Sequence, residues 1–265
     1  MMRTINEMYD FKGKVILISG AAGAIGSEAS RFLGSLGANV VLGDLNEEGV
    51  KRIADEITKE TGNEALGLKI DATDEKQIEL MITKTIEKFG KISAVINNVG
   101  WGANTPLWGS DSQKMIDSYK LNTLGAYNLT RLAMPYLVKE KNAAVLFSGS
   151  AVGNTPSPEF IEYSTAKAGL LNMSRSMAVA SGPEVRFNSL IIGMVDNGDS
   201  TLEAGYTPEM IDNVVKQIVL GRRGLPEDIA NAMAFLLSEA ASWITGIELT
   251  VNGGGVYKSK MPSSE

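Results

Sequence analysis

The feature that most constrains the fold of this sequence is a regular alternation of short apolar runs with helical periodicities. The first run, KVILISG at residues 14–20, is rich in β-branched residues and ends in glycine, which is typical of a buried strand. Apolar residues then recur at helical spacing as far as Gly37, which ends the predicted helix. Continued along the chain, the alternation predicts seven strands, at residues 14–20, 39–44, 65–71, 93–98, 143–150, 185–191 and 247–251.

Helical periods separate these strands, including a long helical region at about 111–139, a helix from about Tyr163 and a helix at 227–237. Strands that alternate with helices pair in parallel and are covered by helices on both faces. We therefore predict an α/β fold, a Rossmann-like doubly wound parallel sheet of about seven strands. No linker divides the chain, so residues 1–265 are predicted to form a single domain, with a flap at about 198–210 and a loose tail at about 256–265.

The residue types that the chain lacks exclude several kinds of chemistry. Its 265 residues include no histidine and no cysteine, which excludes thiolate nucleophiles, Ser-His-Asp triads and zinc sites built on those side chains. We expect no metal site. The net charge is −6, and no dense block of Lys or Arg is present, so a nucleic-acid partner is not expected.

A membrane partner is not expected either. No apolar run approaches the ~18–20 residues that a transmembrane helix needs, and the first residues lack the pattern of a secretory signal. The predicted location is the cytoplasm.

A glycine-rich turn, SGAAGAIG at residues 19–26, joins the first predicted strand to the first helix. Glycines let backbone N–H groups approach a pyrophosphate at the helix N-terminus, where the helix dipole favours an anion. Asp44 ends the second strand, where a carboxylate accepts hydrogen bonds from the adenosine ribose and repels a 2′-phosphate. No Arg or Lys lies in the turn or beside Asp44, so the predicted cofactor is NAD rather than NADP. A tight packing turn and a solvated aspartate are the alternatives.

The segment EYSTAK places Tyr163 and Lys167 four residues apart, and therefore on one face of a helix. A phenol has a pKa near ~10, too high for an efficient acid or base at neutral pH, and a neighbouring cation lowers it. We expect Lys167 and a bound nicotinamide ring to lower the pKa of Tyr163, so that the tyrosine replaces the missing histidine. An ordinary solvated helix face has the same spacing.

Two more polar positions belong to the same hypothesis. Ser150 ends the strand at 143–150, at the sheet edge where ligands bind, and its hydroxyl is suited to hold a substrate oxygen beside Tyr163. Ser148 is the neighbouring candidate. Asn122 interrupts an apolar helical pattern, so its amide must bond to backbone or water, and it is a candidate to hold a relay water near Lys167.

These residues together resemble the short-chain dehydrogenase/reductase family, in its classical branch. The resemblance extends over residues 11–256. It rests on the glycine turn, Asp44, DATD at 71–74, NNVG at 97–100, Asn122, Ser150, the Tyr163/Lys167 pair and the segment GRRGLPEDIANAMAFLLSEAASWITGIELTVNGG at 221–254.

The resemblance implies a role for each catalytic candidate. Tyr163 is the acid/base, Lys167 lowers its pKa and binds the nicotinamide ribose, Ser150 orients the substrate oxygen, and Asn122 holds the relay water. Hydride passes between the nicotinamide and the carbon of a secondary alcohol, and oxidation is favoured above pH 7. The implied assembly is a homo-oligomer, namely a tetramer, with a dimer as the alternative.

The resemblance also implies the cofactor contacts. The pyrophosphate lies at the turn, the adenosine at the ends of the second and third strands, and the nicotinamide near the fourth and sixth strands. The implied residues are Gly20, Gly23, Ile25, Gly26, Asp44, Asp71, Ala72, Asn98, Gly100, Tyr163, Lys167 and Val195. Four positions depart from the family pattern: Ala24 replaces a glycine, Val99 an alanine, Ile192 a proline and Asn197 a threonine.

The substrate candidates besides Ser150 are Trp101, Met194 and Tyr206, because aromatic and methionine side chains suit an apolar pocket. We expect a hydroxysteroid or another cyclic or bulky apolar secondary alcohol. A 3-oxoacyl-carrier-protein reductase is the alternative within the family, although it would be expected to use NADPH and to carry basic residues near the turn. The alternative from another class, a non-catalytic dinucleotide-binding regulator, would not need the catalytic set.

Overall fold

A computed structural model describes residues 3–105, 107–198, 200–203 and 205–255 of the chain. The predicted tail at about 256–265 lies outside the described residues, as do positions 199 and 204 of the predicted flap. The described part forms one seven-stranded sheet in the order β3-β2-β1-β4-β5-β6-β7, and every neighbouring pair is parallel. Its strands are β1 (Val15–Ser19), β2 (Asn39–Asp44), β3 (Ala65–Lys69), β4 (Ala94–Asn97), β5 (Ala143–Ser150), β6 (Val185–Ile192) and β7 (Glu248–Val251). The prediction of a doubly wound α/β fold is confirmed.

Helices alternate with the strands as the periodicity predicts. They are α1 (Ile5–Met8), α2 (Ala24–Ser35), α3 (Glu47–Thr61), α4 (Glu75–Phe89), α5 (Ser112–Tyr119), α6 (Gly125–Leu137), α7 (Ile161–Ser181), α8 (Ser200–Glu203), α9 (Pro208–Val215) and α10 (Pro226–Leu237). Short 3₁₀ turns lie at Leu107–Gly109, Ala151–Gly153 and Glu239–Ala241. No helix in the described ranges is long and apolar enough to span a bilayer.

The sheet is buried on both faces, which explains why its strands read as continuous apolar runs. In β1, Ile16 and Ile18 pack into a core shared with α2, α3 and α10. Val15 and Leu17 point to the opposite face and pack into a second core with α4, α6 and α7. Successive side chains of a strand alternate between its faces, so one short run supports both layers of helices.

The long helical region predicted at about 111–139 is divided in the structure. A π-helical turn at Lys120–Leu124 separates α5 from α6. At this turn the buried amide of Asn122 bonds to the backbone of Trp101, outside the helix, as well as to Ser118 within it. Single π turns inside α-helices are rare and concentrate at functional sites. The apolar periodicity of the sequence continues across the turn, so it does not predict the division into two helices.

Strand order reverses beside β1, with β2 and β3 on one side and β4 to β7 on the other. The connections that leave β1 and β4 therefore diverge to opposite faces of the sheet. In open parallel sheets this divergence opens a crevice at the carboxyl ends of the strands, where ligands bind. The fold thus predicts where the functional site lies.

Candidate active site

A cleft of about 590 Å³ opens at these carboxyl ends. Most of the residues predicted from the sequence line it, namely Gly20, Gly23, Ile25, Asp44, Asp71, Ala72, Asn98, Gly100, Trp101, Ser150, Tyr163, Met194, Val195 and Tyr206. The other three, Gly26, Asn122 and Lys167, are buried in the structure around the cleft. The fold thus brings residues from all along the chain to one site.

The glycine turn has the geometry of a phosphate cradle. Gly20 has φ +67°, and a Cβ there would lie 3.1 Å from the backbone nitrogen of Val99. A Cβ on Gly26 would lie 2.1 Å from the carbonyl oxygen of Gly20, so neither glycine can be replaced without moving backbone. Gly23 is the N-cap of α2 and supplies no side-chain acceptor to the first turn, and Ile25 lines the cleft. The turn thus fits an anion at the helix N-terminus, and Ala24 is accommodated as the first helical residue.

Asp44 is held by its neighbours rather than freely solvated. Its Oδ2 accepts a hydrogen bond from the Ala22 N–H at 3.0 Å, and its Oδ1 accepts one from the Asn46 N–H at 3.0 Å. The carboxylate is therefore held in a fixed orientation at this end of the cleft, which Asp71 also lines. No Lys or Arg is found among the lining residues in the described part of the chain. This environment fits a free ribose diol and disfavours a 2′-phosphate.

Asn98 locks the glycine turn to the neighbouring strand. Its Nδ2 donates to the Gly20 carbonyl at 3.2 Å, and its Oδ1 accepts from the Ser148 hydroxyl at 2.8 Å. The hydroxyl of Ser148 is therefore engaged behind the site, whereas Ser150 lines the cleft. Of the two serine candidates, the structure thus favours Ser150 as the one that can meet a substrate.

Lys167 is a buried amine that donates one hydrogen bond to the protein among the described residues. Only 2% of the residue is exposed, and its Nζ donates to the Ser148 carbonyl at 2.8 Å. A Cβ on Gly100 would lie 2.6 Å from this Nζ, so a glycine at that position lets the amine reach the site. Burial disfavours the charged form and lowers the pKa of Lys167 to about 7.

Tyr163 is partly buried beside this amine, whose Nζ lies 5.6 Å from the centre of the phenol ring. Burial of the phenolate is the largest influence and raises the pKa of Tyr163 to about 12, while a hydrogen bond with Ser150 lowers it and the Tyr206 phenol raises it further. A contribution of Lys167 together with a bound nicotinamide stays a prediction, but the net shift that the protein's own groups give the pKa of Tyr163 is upward, opposite to expectation. The physical reason is that burial penalises both charged forms, so the amine is itself only partly protonated at neutral pH.

The amide of Asn122 is fully engaged with backbone, in agreement with the expectation for a buried polar side chain. Its Oδ1 accepts from the Trp101 N–H at 3.0 Å, and its Nδ2 donates to the carbonyls of Trp101 at 2.9 Å and Ser118 at 3.0 Å. The π turn thus fastens the start of the loop that follows β4. The relay water expected near Asn122 stays a prediction.

The other end of the cleft is aromatic. Trp101, Met194 and Tyr206 line it as predicted. Phe160 lines it too, and its ring stacks on that of Tyr206 with centroids 5.6 Å apart. Trp108, the second tryptophan of its loop, is 90% exposed and lies outside the lining.

Sequence reasoning missed Phe160 and Gly102. Phe160 precedes α7 in a segment without periodicity, so no pattern pointed to it. A Cβ on Gly102 would lie 2.5 Å from Cγ of Tyr163, so the loop can pass over the phenol ring only because this residue is glycine. The two glycines of GWG, one on either side of Trp101, were the available signal.

Known proteins resemble this chain over nearly its whole length. A protein-family model described as enoyl-(acyl carrier protein) reductase matches residues 20–255. The 7α-hydroxysteroid dehydrogenase of Escherichia coli is 32% identical over 250 residues, which cover 93% of this chain and 95% of the relative. A 3-oxoacyl-acyl-carrier-protein reductase of Thermotoga maritima is 30% identical over 250 residues, covering 92% and 98%.

The same similarity holds in three dimensions. A solved structure of 7α-hydroxysteroid dehydrogenase, complexed with NADH and 7-oxo glycochenodeoxycholic acid, is 30% identical to this chain and superimposes with a TM-score of 0.90. The superposition covers 97% of this chain and 99% of the other. The shared architecture therefore extends over nearly the whole chain.

Proposed function

Because this chain belongs to the short-chain dehydrogenase/reductase family, we propose that it oxidises a bulky, apolar secondary alcohol, or reduces the corresponding ketone, with Tyr163 as acid/base. The chain is an NAD(H)-dependent oxidoreductase that acts on alcohols and ketones. The observation that carries the proposal is the convergence of Tyr163, Ser150 and buried Lys167 at one cleft that also contains the phosphate cradle.

The cleft fits the cofactor along its length. Gly20 and Ile25 would hold the pyrophosphate through the turn, Asp44 the adenosine ribose, Asn98 and Lys167 the second ribose. Asp71, Ala72 and Val195 also line the cleft; the first two would border the adenine, and Val195 the carboxamide. The bound nicotinamide supplies a hydride acceptor in oxidation and a hydride donor in reduction.

The proton is transferred by the protein's own side chains. Ser150 holds the substrate oxygen next to the hydroxyl of Tyr163. In reduction, the neutral phenol donates its proton to that oxygen; in oxidation, the phenolate removes the proton from the alcohol. Lys167 stabilises the phenolate when its amine is protonated, and Asn122 positions the backbone of Trp101 above the site.

Two observations support an apolar ring as substrate. The lining near Tyr163 is formed by Trp101, Phe160, Met194 and Tyr206, whose flat or flexible apolar surfaces suit a fused ring. One relative is a hydroxysteroid dehydrogenase. The 3-oxoacyl-carrier-protein alternative also has a relative, but the environment of Asp44 favours NADH, which counts against it.

The decisive experiment is Tyr163→Phe, assayed by absorbance of the reduced cofactor with a panel of cyclic alcohols and ketones. Loss of the hydroxyl removes the proton step, so kcat should fall by about 100- to 10,000-fold, while NADH binding followed by fluorescence stays within about twofold. Tyr127→Phe is the matched control, because Tyr127 is exposed and outside the cleft. Substantial residual turnover in Tyr163→Phe would refute the assignment. NADH binding by the wild type without turnover of any alcohol or ketone would favour the non-catalytic regulator.

We also propose a homo-oligomer, a tetramer or a dimer, in the cytoplasm. The family resemblance supports this assembly, and so do exposed apolar side chains such as Trp243 and Val179. Light scattering of the purified chain tests it; a monomer at assay concentration would contradict the proposal.

A further inference from the structure

Glu162 is a buried acid without a role in the mechanism above. It directly precedes Tyr163 and is 6% exposed, and it is the one carboxylate among the buried residues in the described part of the chain. Burying a carboxylate is costly unless hydrogen bonds or charges compensate it. A buried acid beside the proposed acid/base therefore needs a physical reason for its presence.

The structure provides a partner and a favourable location for this carboxylate. The hydroxyl of Ser110 donates a hydrogen bond to Glu162 Oε1. Glu162 also lies in the first turn of α7, a helix of 21 residues whose N-cap, Phe160, supplies no side-chain acceptor. An acid in the first turn interacts favourably with the helix dipole. The helix dipole and the hydrogen bond from Ser110 thus stabilise the buried carboxylate of Glu162.

Ser110 ends the loop that follows β4, which we name the Trp101 loop (residues 101–105 and 107–110). In the described residues the loop is fastened at four points. Asn122 binds both backbone groups of Trp101, the Thr105 N–H donates to the Glu159 carbonyl at 2.8 Å, the Lys114 amine donates to the Gly109 carbonyl, and Ser110 binds Glu162. Two of these four attachments lie within four residues of Tyr163 in sequence.

The Trp101 loop forms part of the substrate end of the cleft. Trp101 lines it, and Gly102 lies against the ring of Tyr163. The cofactor end is built by other elements, namely the glycine turn and the ends of β2 and β3. Displacement of the far end of this loop should therefore affect the substrate site and leave the cofactor site in place.

We propose that Glu162 is a positioning residue that holds the Trp101 loop at a set distance from Tyr163 and so determines how tightly the substrate binds. This inference rests on the proposed function. Glu162 is not among the described residues that line the cleft; it acts through Ser110. Removal of Glu162 is therefore expected to raise the KM for the ketone or alcohol and to leave the kcat and the affinity for NADH unchanged.

The test compares Ser110→Ala, Glu162→Ala and the double variant with the wild type. Each single change removes the same hydrogen bond, so each should raise the KM for the ketone by about tenfold, equivalent to about 1.4 kcal/mol. The kcat and the dissociation constant of NADH should stay within about twofold. The double variant should be no worse than either single variant, since the two residues act as one unit. Glu162→Gln keeps an acceptor for the hydroxyl and should restore most of the affinity.

Ser112→Ala is the matched control, because Ser112 is exposed and has no contact with Glu162 among the hydrogen bonds described. An unchanged KM in Ser110→Ala, or KM effects of the single variants that multiply in the double variant, would overturn the proposal. An equal loss of NADH binding would also overturn it, because it would indicate general damage to the fold.

Hydrogen exchange separates this inference from the proposed function. Amides of residues 107–114 should exchange faster in Ser110→Ala, while amides of α2 are unchanged. This readout needs no substrate. If the wild type turns over no alcohol or ketone, the proposed function fails, yet exchange still decides whether Glu162 fastens the loop.

Discussion

At the scale of single residues, burial of the Lys167 amine is expected to lower the stability of the fold near neutral pH. Lys167 is almost completely buried, and burial lowers its pKa from 10.5 to about 7. The folded protein therefore binds this proton less tightly than the unfolded chain does. Between pH 7 and 10.5 the unfolded state carries more protons, so this residue makes stability rise with pH across that interval. Its destabilising effect is largest at pH 7 and below.

Lys167→Met tests this conclusion. The variant should lose turnover but gain about 1–3 kcal/mol in its free energy of unfolding at pH 7, because a buried charge is replaced by an apolar chain of similar length. The gain should shrink at pH 9, where the wild-type amine is already neutral in the folded state. Urea unfolding at both pH values measures the two differences.

Lys59→Met is the control for that measurement, since Lys59 is exposed, and it should change stability by less than about 0.5 kcal/mol. A Lys167→Met protein less stable than the wild type at both pH values would show that the hydrogen bond to the Ser148 carbonyl outweighs the burial of the amine.

At the scale of elements, the segment from α8 to α9 forms a wall of the cleft. Thr201, Tyr206 and Val214 line it, and the ring of Tyr206 stacks on Phe160. Tyr206 is thus held by an aromatic contact to the segment that leads into α7. The prediction of a flap at about 198–210 is compatible with this arrangement and stays a prediction.

If this segment closes over ligands, amides of residues 205–215 should exchange more slowly when NADH and a ketone are both present than with neither. Hydrogen exchange with mass spectrometry measures the change, and helix α3 serves as the internal control because none of its residues lines the cleft. Tyr206→Ala should reduce the protection, since it removes the stack on Phe160. Equal exchange with and without ligands would argue against a lid.

At the scale of the whole molecule, charge should influence which substrates enter. The net charge is −6, and exposed Glu159 and Glu203 lie beside Phe160 and Thr201 of the cleft wall. The nearby Arg223 is paired with Asp196 at 2.8 Å. An anionic substrate should therefore be repelled on approach.

A pair of ketones with one ring system, a free carboxylate and its methyl ester, tests this repulsion. The kcat/KM of the carboxylate should rise by about two- to fivefold as ionic strength increases from about 10 to 150 mM, because salt screens charges over about 8–10 Å. The ester should show no such rise and controls for effects of salt on the enzyme. A kcat/KM that falls with salt for the carboxylate would reveal an attractive basic group instead.

Much of this molecule follows from local pattern. The seven strands, the glycine turn, Asp44 and the Tyr163/Lys167 pair could all be predicted, because hydrophobic period, turn residues and helical spacing are properties of neighbouring residues. The arrangement of strands in parallel followed from their alternation with helices. What these patterns share is that no distant segment is needed to recognise them.

Tertiary structure decided the rest. The π turn at Asn122, the passage of Gly102 over Tyr163, the stack of Phe160 on Tyr206 and the bond from Ser110 to Glu162 each join segments far apart in the chain. The pKa of Tyr163 moved opposite to expectation for the same reason: spacing along a helix brings an amine near a phenol, but the packing of the whole fold determines how much water remains around them. Local sequence pattern identified most of the chemical groups that meet at the cleft, whereas burial, a property of the assembled chain, decided the direction in which the pKa values of Tyr163 and Lys167 shift.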